Sequence, residues 1–329
     1  MERLAATLVS RAPWTNVYGS ARTLLALGTL GTLLASHSSS LFRPSHGVDG
    51  FPNCSGVASA GLFCNVPSDR LEWARWFGVM VLAVVASGWR PRVTALPHWW
   101  VSFSFYAEAT APDGGDQITS VLTLLLIPVA LTDRRRWHWE PQREQRADRG
   151  RQALVAWSAM TVVRVQMAGV YFQACVSKLS HTEWANGTAL YYWLRDSSFG
   201  APHWIRPVLD PVMATPWGTQ AVTWGALIVE GALFFGLFAR YRARPYLLAA
   251  GISLHFSIGL LMGLWSFAMA MFAGLILFLR PPDHPWDLSR NKSPARSHWP
   301  ETSPGDPERP LPQQCHRDLS EAMNKGDQD

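Results

Sequence analysis

Between Ser20 and Leu279 long apolar runs alternate with short polar ones, and that alternation restricts the fold more than any motif does. Eight runs stand out: Ser20–Ala35, Leu71–Trp89, Pro97–Ala111, Gln117–Thr132, Gln152–Lys178, Thr219–Ala239, Pro245–Leu261 and Trp265–Leu279. A bilayer crossing takes about 20 residues, somewhat fewer in a tight bundle. Hydrocarbon offers the backbone no hydrogen-bond partners, so runs of this length cross as helices. The expectation is an all-α, polytopic transmembrane helical bundle of about eight spans, or seven. The third run carries His98 and Glu108, so it either spans or lies at the interface as an aromatic helix. The apolar stretch from Pro245 to Leu279 would overshoot the bilayer as one helix, so it is split at Gly263–Ser266.

Arginine placement orients the bundle. The segment 133–151 (DRRRWHWEPQREQRADRGR) and the segment 240–244 (RYRAR) are basic, as are Arg90, Arg92 and the chain after Arg280. With eight spans all of these fall on one side together with Arg3 and Arg11, which the positive-inside rule makes cytoplasmic. The net charge of +5 is therefore read as topology and not as nucleic-acid binding. Residues 1–15 form a cytoplasmic segment, 16–280 the membrane domain, and 281–329 a Pro-, Ser- and Asp-rich cytoplasmic tail too poor in apolar residues to fold. Leu34-Ala35-Ser36 has the look of a signal-peptidase site, but an uncleaved first span fits the alternation. Cys54 and Cys64 share one loop on the outer side, where a disulfide persists. No ligand cluster with metal spacing accompanies them, so no metal is expected.

Several polar groups sit inside apolar runs. An arginine in hydrocarbon costs roughly 3 kcal/mol on insertion scales, so Arg164 needs a partner. Counted from the cytoplasmic helix ends, Arg164, Glu230 and His255 lie at depths that agree within about 5 Å. They are expected to form one buried polar cluster, either a structural ion pair or a proton-transfer group. Arg164, Tyr171 and Lys178 are spaced by seven and share one helical stripe. Lys178 either snorkels to the interface or lines a cavity that opens outward. His181 and Glu183 follow closely and could shuttle protons. Asp113-Gly-Gly-Asp116 is expected to be a tight turn whose glycines supply positive φ. No Walker loop, GxSxG or HExxH is present.

The run VYFQACVSKLSHTEWANGTALYYWL resembles the signature of the bacterial HTTM domain, which is related to vitamin K-dependent γ-carboxylase. The matching elements are Tyr171, Phe172, Lys178, Leu179, Trp184, Gly187 and the stretch Ala189–Leu194. The GGDQ turn at 114–117, Pro128 before a basic loop, Glu230 in mid-helix and His255 before a Gly- and Phe-containing hairpin agree with it. Within that superfamily the chain is most similar to the sporulation-delaying-protein B (SdpB) group. The resemblance implies a bacterial inner-membrane protein that assists maturation or export-linked modification of a secreted antimicrobial peptide toxin, with a companion SdpA-like protein. It also implies a base role for Lys178, with His181 and Glu183 beside it, and a quinone such as vitamin K as cofactor. An amine in an apolar pocket is a usable base near neutral pH. Departures exist: Ser177 stands where the carboxylase has a second lysine, Cys175 replaces a small position, and no large soluble domain is attached. A non-enzymatic membrane scaffold and a small transporter or immunity protein are the alternative functions.

Overall fold

The computed structural model describes residues 13–44, 50–141 and 150–286. Eight helices of fifteen residues or more run through the described residues, and no β-strand is present among them. They are α1 (Asn16–Ala35), α2 (Leu71–Ser87), α3 (Pro91–Glu108), α4 (Gly114–Thr132), α5 (Gly150–Leu179), α6 (Pro216–Phe234), α7 (Arg244–Met262) and α8 (Trp265–Leu279). Each coincides with one apolar run of the sequence. Three short helices, Thr182–Ala185, Ala189–Trp193 and Arg206–Met213, lie between α5 and α6. Four helices are long and apolar enough to cross a membrane: α4, α5, α6 with its 3-10 extension to Leu237, and α7.

The centre of the bundle is α8, which packs against α1, α4, α5 and α7. Nine of its fifteen residues are buried, on every face, because its sequence WSFAMAMFAGLILFL is apolar all round. At fifteen residues it is shorter than a hydrocarbon core is thick. Around it a main core joins Leu25, Leu122, Met160, Met167, Leu275 and Phe278, and a second core joins α1, α2 and α3 through Leu33, Leu82, Val101 and Phe105.

Chain ends and loops sort to two ends of the bundle. At one end the basic loop folds back on the α2–α3 turn: His138 N–H donates to Gly88 O at 3.0 Å and Arg90 N–H to Arg136 O at 2.7 Å. Arg135 there pairs with Asp133 at 2.8 Å. The same end holds the start of α1, where Thr15 Oγ1 donates to Pro282 O at 2.5 Å and Trp286 N–H to Asn16 Oδ1 at 2.7 Å. The described chain thus continues past 280 to Trp286, held by α1. The rest of the expected tail, 287–329, and most of the expected cytoplasmic segment 1–15 lie outside the described residues.

The opposite end holds the loop closed by a disulfide between Cys54 and Cys64, whose Cα atoms are 5.6 Å apart. Glu108 anchors that loop by accepting from Phe63 N–H at 2.7 Å and Cys64 N–H at 3.0 Å. The acid at the end of α3 is a loop anchor. Asp113 and Asp116 form a reciprocal capping box at the start of α4, and Ser266 Oγ donates to Asp113 at 3.1 Å. The expected positive-φ glycine turn is absent. Gly115 serves a different need: a Cβ there would lie 2.5 Å from Phe267 Cα, so glycine is what lets α8 start against α4.

Candidate functional site

Lys178 occupies the last turn of α5, and its Nζ donates to Glu230 Oε1 on α6. Glu230 is buried and Lys178 is half-buried. The register of the two helices explains the pairing. Phe172 packs against Phe234 with ring centroids 5.2 Å apart and the rings tilted, and Cys175 Sγ lies beside Gly231. The next turn of α5 therefore meets Glu230.

The chain after α5 folds back over this pair. Trp184, on the short helix Thr182–Ala185, places its ring 5.2 Å from Lys178 Nζ, within cation–π range. Gly187 adopts φ +76°, which reverses the chain, and its face lies against Trp224 so closely that a Cβ would sit 3.0 Å from the ring. Two bonds fix the returning segment to α6: Trp224 Nε1 donates to Ala185 O at 3.3 Å, and Leu190 N–H to Thr223 Oγ1 at 3.4 Å.

These elements line an open-sided pocket of about 730 Å³ between α6 and α7. Small residues keep the two helices from filling it: Gly225 and Ala226 on α6 face Ala250, Ser253 and Ser257 on α7. Trp184, Trp193 and Phe267 add aromatic walls, and Lys178 and Glu230 are its charged lining residues. Glu230 Oε2 is buried with no hydrogen-bond partner among the described residues. Behind Phe267, Tyr171 Oη and His255 Nε2 share a hydrogen bond of 3.1 Å, and the His255 and Phe267 rings meet edge to face at 5.5 Å. An apolar chamber with one ion pair in its wall suits a lipophilic ligand with a polar head.

The expected cluster of Arg164, Glu230 and His255 does not form. Arg164 Nε donates to Phe278 O, in the last turn of α8, at 2.9 Å. There the carbonyl end of that helix receives its charge. The equal-depth estimate took all helix ends as level. α5 is thirty residues long, so fourteen residues, about 20 Å of helix, separate Arg164 from Lys178. Lys178 takes the place beside Glu230 that the sequence reading gave to Arg164. His181 and Glu183 are exposed and line a separate cleft of about 460 Å³ on the other side of Trp184 and Trp193. They are not in the Lys178 chamber. Among the described residues no group of three or more His, Cys, Asp or Glu could hold a metal ion.

A second polar group escaped the sequence reading, although Arg22 stands plainly within the first apolar run. Arg22 is 1% exposed and donates to Thr94 Oγ1 at 2.7 Å. Tyr18, His98 and Ser102 are buried near it on α1 and α3. His138 caps this group from the basic loop, 3.2 Å from Thr23 Oγ1. Burial first, then the charges of Arg22 and Arg135, push the His138 imidazole down to about 3.

Fold and site together define an all-helical protein with helices of membrane-crossing length around an apolar chamber. The chain belongs to the HTTM-domain family, whose pattern matches residues 65–283. It is 37% identical over 275 residues to the uncharacterized protein YitO of Bacillus subtilis (strain 168), covering 83% of this chain and 88% of the relative. It is 32% identical over 271 residues to the sporulation-delaying protein SdpB of the same organism, covering 82% of each. No solved structure matches.

Proposed function

We propose that this chain is an SdpB-type membrane protein that acts in production of a secreted antimicrobial peptide toxin, with Lys178 as its reactive amine. The observation that carries the reading is the Lys178–Glu230 pair in the wall of a chamber of about 730 Å³. The likeness to SdpB supplies the peptide context, and the companion would be an SdpA-like protein. Eight spans in a bacterial cell membrane, with the basic loops and both chain termini cytoplasmic, complete the proposal.

The chemistry follows from the pair. A lysine base must be neutral when it takes a proton. Glu230 accepts a hydrogen bond from Lys178 Nζ, so its carboxylate is placed to take up the ammonium proton and leave the amine free. The lining fits a quinone of the vitamin K type: the apolar walls suit its ring and tail, and Lys178 with the unpartnered Glu230 Oε2 would hold its polar head. Such a group, when bound, supplies redox chemistry.

Lys178→Arg tests the base role. Guanidinium stays charged and cannot accept a proton. The variant should lower secreted active peptide by roughly a hundredfold or more, the usual yield of general-base catalysis, at unchanged protein level. Full activity would establish instead that Lys178 anchors the helix and that the protein is a scaffold for another enzyme.

A further inference from the structure

The chamber that holds Lys178 and Glu230 in its wall opens through the gap between α6 and α7. Gly225 and Ser253 line it there: a Cβ on Gly225 would meet nothing within 4 Å, and Ser253 is exposed. Gly225 stands nine residues from either end of α6, and Ser253 nine residues from either end of α7. That is about 14 Å of helix in each direction. Both helices are long and apolar enough to cross a membrane. The gap is bounded at both of its ends. At one, the helix Arg206–Met213 ties α6 to α7, where Leu209 and Met213 share a small core with Val222 and Leu261. At the other, Gly251 packs so close to α6 that a Cβ would lie 3.2 Å from Leu233. The surface beside the gap is apolar, with Ile228 on α6 and Phe256 on α7 exposed.

We propose that this gap is a lateral portal, through which the chamber takes a membrane-dissolved amphiphile sideways from the bilayer with its hydrocarbon tail between Gly225 and Ser253. The proposal rests on the chamber being the ligand site and on α6 and α7 being spans. Position selects the occupant. At the midpoint of two spans the surroundings are hydrocarbon, and no water is there to carry a soluble ligand. A tail enters such an opening without losing hydration, whereas a polar molecule would first have to shed its own. The lining selects the same chemistry. Its charged groups, Lys178 and Glu230, stand together, and the rest of the wall is almost wholly apolar. A single polar head reaches that pair while the tail stays in the gap and the surrounding lipid. Gly225, Ala226 and Ala250 keep the passage open because their side chains are too small to cross it. A bulky side chain at the portal would close it.

The test uses full-length protein in phosphatidylethanolamine–phosphatidylglycerol vesicles that contain a long-chain alcohol with a diazirine on its chain. After irradiation the adducts are mapped by mass spectrometry. Ile228 and Phe256 should be labelled from the lipid, and Trp184 and Phe267 inside the chamber. Gly225→Phe with Ser253→Phe should lower the inner adducts at least tenfold and keep the outer ones, which report that α6 and α7 remain in place. Should the double variant lose its outer adducts, Ser253→Trp decides: at an exposed position it should lower the inner adducts alone, and unchanged inner adducts would overturn the portal. Absence of inner adducts in the unmodified protein would overturn it too, as would inner adducts that survive the double substitution. Absence of outer adducts in the unmodified protein would overturn the spans. None of these readouts uses toxin output. An active Lys178→Arg variant would therefore remove the base role and leave the portal standing, whereas failed labelling removes the portal and leaves the base role.

Discussion

Two residues carry most of the site's consequences. Glu230 is buried against Lys178, so Glu230→Ala leaves an ammonium facing an apolar chamber. Breaking a buried pair in this way costs about 3 kcal/mol. The expected outcome is lower folded yield and a lower thermal midpoint in detergent. Adding Lys178→Met should recover part of the loss, whereas strict additivity of the two substitutions would show that they do not interact. His138 shares the pH direction of a paired acid, although the form that folding favours here is the neutral one. Its hydrogen-bond network assigns the neutral ring: Thr23 Oγ1 donates to Ala86 O, so the ring's Nε2–H donates to Thr23. Its folded value of about 3 lies below the roughly 6.5 of an unfolded histidine. The unfolded chain therefore binds the proton first as pH falls. The stabilisation is complete above about 6.5 and is lost progressively between there and about 3. The fall in thermal midpoint over that window should be shallower in His138→Gln, and an unchanged profile would exclude His138 as its source.

At the level of elements, the approach of α8 to α4 is set by Gly115. Gly115→Ala places a methyl 2.5 Å from Phe267 Cα, on backbone that cannot rotate away. The helices must separate, at about 1–3 kcal/mol, the usual penalty for overpacking. Phe267 also walls the chamber and touches His255, so the same shift should move the site. A thermal midpoint and toxin output both equal to those of the unmodified protein would show that α8 adapts without strain. Gly114, one residue earlier, meets only the Phe267 ring at 3.6 Å and serves as the control substitution.

For the whole molecule the testable matter is topology. Basic loops, the start of α1 and Trp286 gather at one end, and the disulfide loop with the α7–α8 turn at the other. In a chain lacking Cys175 and Cys315, an impermeant thiol reagent applied to intact cells should label Ser39→Cys and not Glu140→Cys. Both positions are exposed. The reverse pattern would invert the molecule.

The sequence by itself determined the helices. Eight apolar runs became eight helices with bounds shifted by up to six residues, the largest shift being α3, which starts at Pro91 and not at Pro97, because apolar length and backbone self-satisfaction are local properties. The break at Gly263 was legible for the same reason. Arg164 and Glu230 were legible as residues needing partners, since a charge within an apolar run must be compensated wherever it goes. Which partner each takes was decided only by the tertiary structure. Depth counted along separate helices assumes level ends, and α5 extends well past its neighbours. That offset moved Arg164 to the end of α8 and gave Glu230 to Lys178. The chamber was equally beyond reach of sequence reading, because a void is a property of how α6, α7 and the Gly187 turn are held apart, and no single segment encodes it.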